Sequence, residues 1–412
     1  MKTATAALDL NLGTSWWGKR QQQILTKVLA PLAKAERGIL TLTLPNGSQL
    51  QLGQHHCDGL SPSIQLHHWR ALRRALTGGT VGWAEAYMDG DWDCPCLLTL
   101  IEWVVENEPQ ISGALEGGKL GTLVHKLRHR GNANSKRGSR KNIAYHYDLG
   151  NAFYRQWLDE SMTYSSGLYL ADDDSLSQAQ FNKYQRVIQE LDVQAGDRIL
   201  EIGCGWGGFA EQACRQQDIH LHGITLSSEQ LQFAQSRIAD AGLAERAAFS
   251  LTDYRNTEGQ YDKVVSIEML EAVGEEYWPT YFKTLASRLK PGGKALIQVI
   301  TISPERFDDY RRNPDFIQTY IFPGGMLPTP DICREQASKA GLDVCNELAF
   351  GPDYARTLAE WDERFSSTWN RVEPLGFDQR FKRMWHYYLA YCGVGFALGT
   401  IDVYQFTLQK PA

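Results

Sequence analysis

The chain has 412 residues, with 42 Lys and Arg against 48 Asp and Glu, a formal charge of -6. Hydrophobic residues at 43% and charged residues at 22% exclude wholesale disorder and leave enough apolar side chain for a sizeable core. No apolar run approaches the roughly 20 residues of a membrane-spanning helix, and about 150 residues per domain predicts two or three domains.

Residues 1–20, MKTATAALDLNLGTSWWGKR, lack an apolar signal core. The cysteines stand at irregular spacings and fit reduced thiols better than a disulfide framework. Together these predict a soluble, cytoplasmic protein. Residues 1–125 open with an amphipathic stretch (Leu25, Val28, Leu29, Leu32), followed by 39-ILTLTLPNGSQLQL-52. Alternating flanks around Asn46-Gly47 predict a hairpin there. A helical segment follows around 66–76, then 79-GTVGWAEAYMDGDWDCPCLLTLIEWVVENE-108. Cys94 and Cys96 are too close for a C-x-x-C site, and no nucleophile–base pair, metal-ligand spacing or phosphate loop stands out. The segment reads as a small mixed α/β accessory domain for lipid docking or dimerisation.

Net charge hides a local exception at 126–141, where Lys126, Arg128, Arg130, Lys136, Arg137, Arg140 and Lys141 occur with no acidic residue. Its small, polar, turn-rich 130-RGNANSKRGSR-140 reads as an inter-domain linker. The same strip equally suits a polybasic contact with anionic headgroups, at about 1 kcal/mol per charge near a membrane. Nucleic acid is not expected, because no aromatic interleaving or recognised binding motif accompanies the charge.

From about 196 short apolar strands alternate with helices, which predicts a doubly wound α/β sheet. The strand 198-RILEIG-203 runs into Gly203-Cys204-Gly205-Trp206-Gly207-Gly208 and then a helix. Such a turn lets the backbone approach a ligand and offers free N–H groups at the helix start. It suits a dinucleotide as well as S-adenosylmethionine. The second strand, however, ends in Gly223-Ile224-Thr225 rather than in the acidic residue that a nicotinamide ribose needs. The third ends near Asp253, the fourth is followed by Glu268, and the fifth follows 290-KPGG-293.

The stretches 199-ILEIGCGWGGFA-210, 266-SIEMLEAVG-274, 318-QTYIFPGGMLP-328 and 351-GPDYARTLAEWDERF-365 resemble the cyclopropane fatty acid synthases. The likeness runs over about 142–408 in order, and 84-AEAYMDGDWD-93 resembles the accessory domain of longer bacterial members. It implies a Rossmann-like S-adenosylmethionine methyltransferase domain over 142–412, with an acyl-binding insert at about 302–330. The implied reaction is methyl transfer to a cis double bond of an unsaturated phospholipid acyl chain, followed by closure of a cyclopropane. A homodimer peripherally associated with the inner face of a membrane bilayer is also implied. Loss of the proton from a chain carbon instead would give a methylene- or methyl-branched product, and a non-catalytic lipid-binding protein on the same fold is the remaining alternative.

The resemblance assigns Tyr164, Ser165, Gly203, Gly205, Thr225 and Gln230 to the cofactor, with Asp253 near the adenine. In members that hold bicarbonate as the base, its ligands include a glutamate, a tyrosine, a cysteine and a histidine. The matching positions here are Glu271, Tyr354, Ser166 and Gln298. A position usually glycine is Glu268, a pattern similar to the branch that includes the plant enzymes. Two options follow: bicarbonate still binds, or Glu268 replaces it as a protein-borne base. A pair of capping carboxylates at a helix start is the plainer reading of Glu268 and Glu271. Cys392 matches a cysteine treated as an active-site candidate, though nothing around it points to a reactive thiolate. Tyr147, Tyr164, Phe316, Tyr320, Phe322, Tyr354, Trp385 and Tyr388 form an aromatic set that reads either as core or as the wall of a lipid tunnel, where π faces would offset a cation.

Overall fold

In the computed structural model, residues 26–54, 59–115 and 149–412 are described. The basic strip at 126–141 and Tyr147 lie outside them. The chain divides into two compact units, one formed by Met1–Leu127 with Asp378–Val394, the other by Arg128–Phe377 with Gly395–Ala412.

The first unit carries a four-stranded sheet ordered β2-β1-β3-β4. Its strands are β1 (Gly38–Thr43), β2 (Gln49–Gln54), β3 (Ser63–Leu66) and β4 (Trp92–Asp93). The hairpin forms as the alternation predicts, with Thr43 opposite Gln49 and Gly47 at φ 84° in the turn. Helix α1 (Arg70–Met88) is bent at Gly79, and α2 (Leu97–Glu106) is followed by α3 (Glu108–Leu115). The buried Asn107 accepts from the Glu36 and Arg37 N–H groups at 2.9 and 2.8 Å and donates to the Arg37 and Trp103 carbonyls. Trp83 stacks on Trp92 at 4.5 Å. Arg383 explains why a late segment belongs here. Its guanidinium donates to the Tyr87 and Trp92 carbonyls, pairs with Asp93 at 2.6 Å and lies 4.0 Å over the Tyr87 ring.

The second unit is built on a seven-stranded sheet ordered β10-β11-β9-β8-β5-β6-β7. The members are β5 (Arg198–Ile202), β6 (His220–Thr225), β7 (Ala247–Leu251), β8 (Tyr261–Ile267), β9 (Leu289–Ile302), β10 (Asp343–Ala349) and β11 (Ile401–Gln409). Strands β5 to β9 run parallel, while β11 runs antiparallel between β9 and β10. Helices α4 (Leu176–Glu190), α5 (Gly208–Gln216) and α6 (Ser228–Asp240) supply Val187, Phe209, Ala213 and Ile238 to one core. Helices α7 (Trp278–Arg288) and α9 (Pro330–Lys339), with α8 (Pro304–Arg312) between them in sequence, border a second core of Trp278, Phe282, Leu285 and Cys333. Covered on both faces, the parallel strands read as continuous apolar runs. Helix α10 (Gly351–Ser367) precedes α11 (Gln379–Ala397), whose first part joins the other unit.

Sequence periodicity reveals five of these strands. It misses β10 because that edge strand, DVCNELA, is almost wholly exposed and polar. It misses β11 because the partner, β9, lies about a hundred residues earlier, so pairing rather than pattern makes the strand. Among the described residues no helix is long and apolar enough to cross a membrane, and every described cysteine is unbridged.

Candidate active site

A cavity of about 850 Å³, its open mouth included, lies at the carboxyl ends of β5, β6 and β8. This is where an open α/β sheet binds ligands. Gly203, with φ 84°, turns the chain out of β5, and a Cβ there would come 2.3 Å from the Met269 Cγ. Gly203→Ala should therefore cost about 1–2 kcal/mol of stability and loosen the cavity wall. Thermal unfolding and calorimetric titration with S-adenosylmethionine check this; a wild-type Tm and Kd would refute it.

Thr225 ends β6 and donates to the Gln230 Oε1 at 2.8 Å. The Ser227 hydroxyl caps α6 by accepting from the Gln230 N–H. Tyr164, Ser165, Gly203, Gly205, Thr225 and Gln230 all line the cavity. Asp253 does not. Its carboxylate caps the following turn and pairs with Arg255 at 2.6 Å, while its neighbours Thr252 and Tyr254 face the cavity.

Glu268 stands on the wall beside this space. Its Oε1 accepts from the Ser166 N–H at 3.0 Å and the Gln298 Nε2 at 2.7 Å, and its Oε2 accepts from the Tyr354 hydroxyl at 2.7 Å. Four of the residues singled out from sequence thus meet at one carboxylate. The part played by Ser166 differs from expectation: the backbone donates, and the hydroxyl is turned to the Gly167 carbonyl. Gln405, directly opposite Gln298 across β9 and β11, donates to the Gln298 Oε1 at 3.0 Å and so aims the amide at Glu268.

The helix-cap reading of the pair fails. Glu268 has a left-handed φ of 51°, a single 3-10 turn follows at Leu270–Ala272, and α7 begins only at Trp278. Glu271 accepts from the Ile300 N–H, but its Oε2 is buried with no partner. Burial, then the charge on Glu268, pushes the Glu271 carboxyl up to about 8. Burial also raises Glu268, against the Ser166 N–H, the Tyr354 hydroxyl, Lys183 and Gln298, which favour its ionised form. The two carboxyls therefore differ in surroundings: Glu271 has one donor and a buried, unpartnered oxygen, whereas Glu268 has three donors that favour its ionised form against burial.

Tyr164 packs against Trp361 at 5.2 Å, and Tyr354 stacks on Phe396 at 4.3 Å. Trp385 and Tyr388, from the same aromatic set, pack edge-on to each other in the stretch that joins the first unit. Cys392 lies in that stretch too and is not among the cavity-lining residues. In the 302–330 segment, the Met326 N–H donates to the Glu271 carbonyl at 2.9 Å.

A family profile described as Mycolic acid cyclopropane synthetase matches residues 134–406. The chain belongs to that family. The tuberculostearic acid methyltransferase UfaA1 of Mycobacterium tuberculosis is 39% identical over 363 residues, 86% of this chain and 84% of that protein. The cyclopropane-fatty-acyl-phospholipid synthase of Escherichia coli K12 is 34% identical over 362 residues, 86% of this chain and 89% of that one. A solved structure of mycolic acid cyclopropane synthase CmaA1, complexed with SAH and CTAB, superposes with a TM-score of 0.62 at 31% identity. It covers 66% of this chain and 98% of its own.

This cyclopropane synthase-family protein is an S-adenosylmethionine-dependent methyltransferase, and its cavity suits that cation-bearing cofactor. Glu201 lines it with a carboxyl group that burial raises well above the ordinary range and whose Oε2 is buried and unpartnered, a group that a nearby cation would ionise. Sequence reading passed over Glu201, Gln180, Lys183 and Gln405. A signal existed for Lys183, which stands four residues from both Ala179 and Val187 on the buried face of α4.

Proposed function

We propose that this chain transfers the methyl group of S-adenosylmethionine to the cis double bond of an unsaturated phospholipid acyl chain and closes a cyclopropane, with Glu268 as the base. The observation that carries the reading is the convergence of the Ser166 N–H, Gln298 and Tyr354 on the Glu268 carboxylate. The resemblance assigns those three positions to a bicarbonate ligand set. Here the Ser166 N–H, the Tyr354 hydroxyl and the Gln298 amide each already donate to a carboxylate of the chain, which occupies the place a separate anion would take.

The cofactor supplies the methyl cation equivalent, and the protein's task is to orient, dry and deprotonate. The cofactor's cationic end would face Glu201, with Tyr164, Ser165, Gly203, Gly205, Thr225 and Gln230 around the rest. Attack by the alkene π pair on that methyl would form one carbon–carbon bond as the sulfur–methyl bond breaks with its pair staying on sulfur, leaving a carbocation within the hydrocarbon chain. The Tyr164 ring, which lines the cavity, would offer a π face to such a cation, worth about 0.5–2 kcal/mol. Glu268 removes a proton from the transferred methyl, and the released pair closes the third ring bond. The 302–330 segment, bonded to the Glu271 backbone through Met326, would cover the acyl chain and exclude water.

A second reading has its own support in the tuberculostearic acid methyltransferase relative. If Glu268 takes the proton from a chain carbon, the product is a methylene-branched acyl chain. Lipids from a host expressing the chain distinguish the two. The expected result is a mass increase of one CH₂ with high-field ring-proton NMR signals; vinylic or branched-methyl signals without ring protons would overturn the cyclopropane assignment.

A further inference from the structure

We infer that Lys183 is a positioning residue for Glu268, joined to that carboxylate through a chain of aligned amides. The inference rests on the reading of Glu268 as the base. Lys183 is fully buried, at 0% exposure, yet makes no direct ion pair among the described residues. Its Nζ donates to the Gln180 Oε1 at 2.6 Å and the Ser165 Oγ at 2.7 Å. The Gln180 Nε2 in turn donates to the Ser165 carbonyl at 2.8 Å. That carbonyl belongs to the same peptide unit as the Ser166 N–H, which donates to the Glu268 Oε1 at 3.0 Å.

The bonds run in one direction: ammonium, side-chain amide, main-chain amide, carboxylate. Amides so linked polarise one another, and each strengthens the next. A buried ammonium without a counter-charge is strongly unfavourable, so an anion has to balance it. The titratable groups facing it are Glu268, Asp159, Glu201 and the Tyr184 phenol. Asp159 is engaged by the Ser161 and Thr163 N–H groups, and Glu201 opens on the cofactor cavity. Glu268, which also faces Glu271 and Tyr354, is the anion joined to Lys183 by continuous hydrogen bonds. Burial pulls the ammonium below the ordinary lysine range, and Glu268 is the foremost charge opposing that.

The sign follows. Removing the cation makes Glu268 harder to ionise, so the rate is lost at low pH and recovered at high pH. The test is the kcat–pH profile of the full-length enzyme with S-adenosylmethionine and vesicles of a monounsaturated phospholipid. Lys183→Met is expected to move the acid limb up by roughly one pH unit, about tenfold in kcat on that limb, and to converge on wild type at high pH. Gln180→Met, which keeps the ammonium but cuts the chain, should move the limb in the same direction by less. It also carries the test if Lys183→Met fails to fold. A pH-independent loss, or an unmoved limb in the folded variants, overturns the relay. A parallel Glu268→Gln profile separates the two levels. If that variant is inactive while the other limbs are unmoved, only the relay falls; if it keeps a wild-type rate and limb, the base assignment falls and the relay with it.

Discussion

Glutamine at position 268 is expected to lower kcat by about 10³-fold while S-adenosylmethionine affinity stays within about threefold of wild type. Removing a positioned general base typically costs 10²–10⁴-fold, and the amide keeps the size and partners of the carboxylate without its basicity. Steady-state kinetics and calorimetric titration read the two quantities, and turnover within about tenfold of wild type would remove Glu268 from the chemistry. The backbone supplies a second test. At φ 51° Glu268 occupies a conformation that an L side chain adopts at about 1–2 kcal/mol and glycine adopts freely. Glu268→Gly relieves that backbone cost but removes the anion opposite Lys183; it should lose turnover and vacate three hydrogen-bond donors. Added bicarbonate should then restore part of the rate, whereas wild type should be indifferent to its removal. A sharp bicarbonate dependence in wild type would return the anion to the mechanism.

Glu271→Gln should lower kcat by roughly 10–100-fold, because the wild-type carboxyl, pushed up to about 8, is the neighbour that can both release and regain a proton near neutral pH and so pass on the one Glu268 collects each cycle. An amide cannot relay it. Cofactor affinity should change little, since Glu271 does not line the cofactor cavity. Stability should respond in a definite direction. An unfolded glutamate titrates near 4.3, and in the folded protein burial and Glu268 push this one up to about 8. Its contribution is fully present below the unfolded value and is lost as pH rises through about 8. The Tm of Glu271→Gln, which cannot ionise, should match wild type most closely near pH 5 and exceed it increasingly toward pH 9. A constant offset across that range would count against the raised carboxyl.

The residues that the resemblance assigns to the cofactor gather at one cavity because the requirements of such a turn are local. A strand-to-helix turn needs glycines at adjacent positions, and Gly203, Gly205, Thr225 and Gln230 lie within a short span of two strand ends. Asp253 misled because its position follows a strand, yet Arg255, two residues on, captures the carboxylate. Ser166 misled differently: residue identity pointed to its hydroxyl, whereas the backbone makes the bond. Backbone donors are invisible in side-chain identity. Gln405 had no signal at all, since its role comes from lying opposite Gln298 on an antiparallel partner.

By itself the sequence determined the alternation of strands and helices, the glycine-rich strand-to-helix turn, the family resemblance and the presence of a carboxylate where glycine is usual. Only the tertiary structure decided what that carboxylate does. Its three donors come from positions 102, 86 and 30 residues away in the chain. It also decided that Asp378–Val394 packs with the first unit, through Arg383. The physical reason is the same in both cases. Strand and turn propensities act over a few residues, whereas a buried charge is stabilised by whichever distant donors the packed core brings to it.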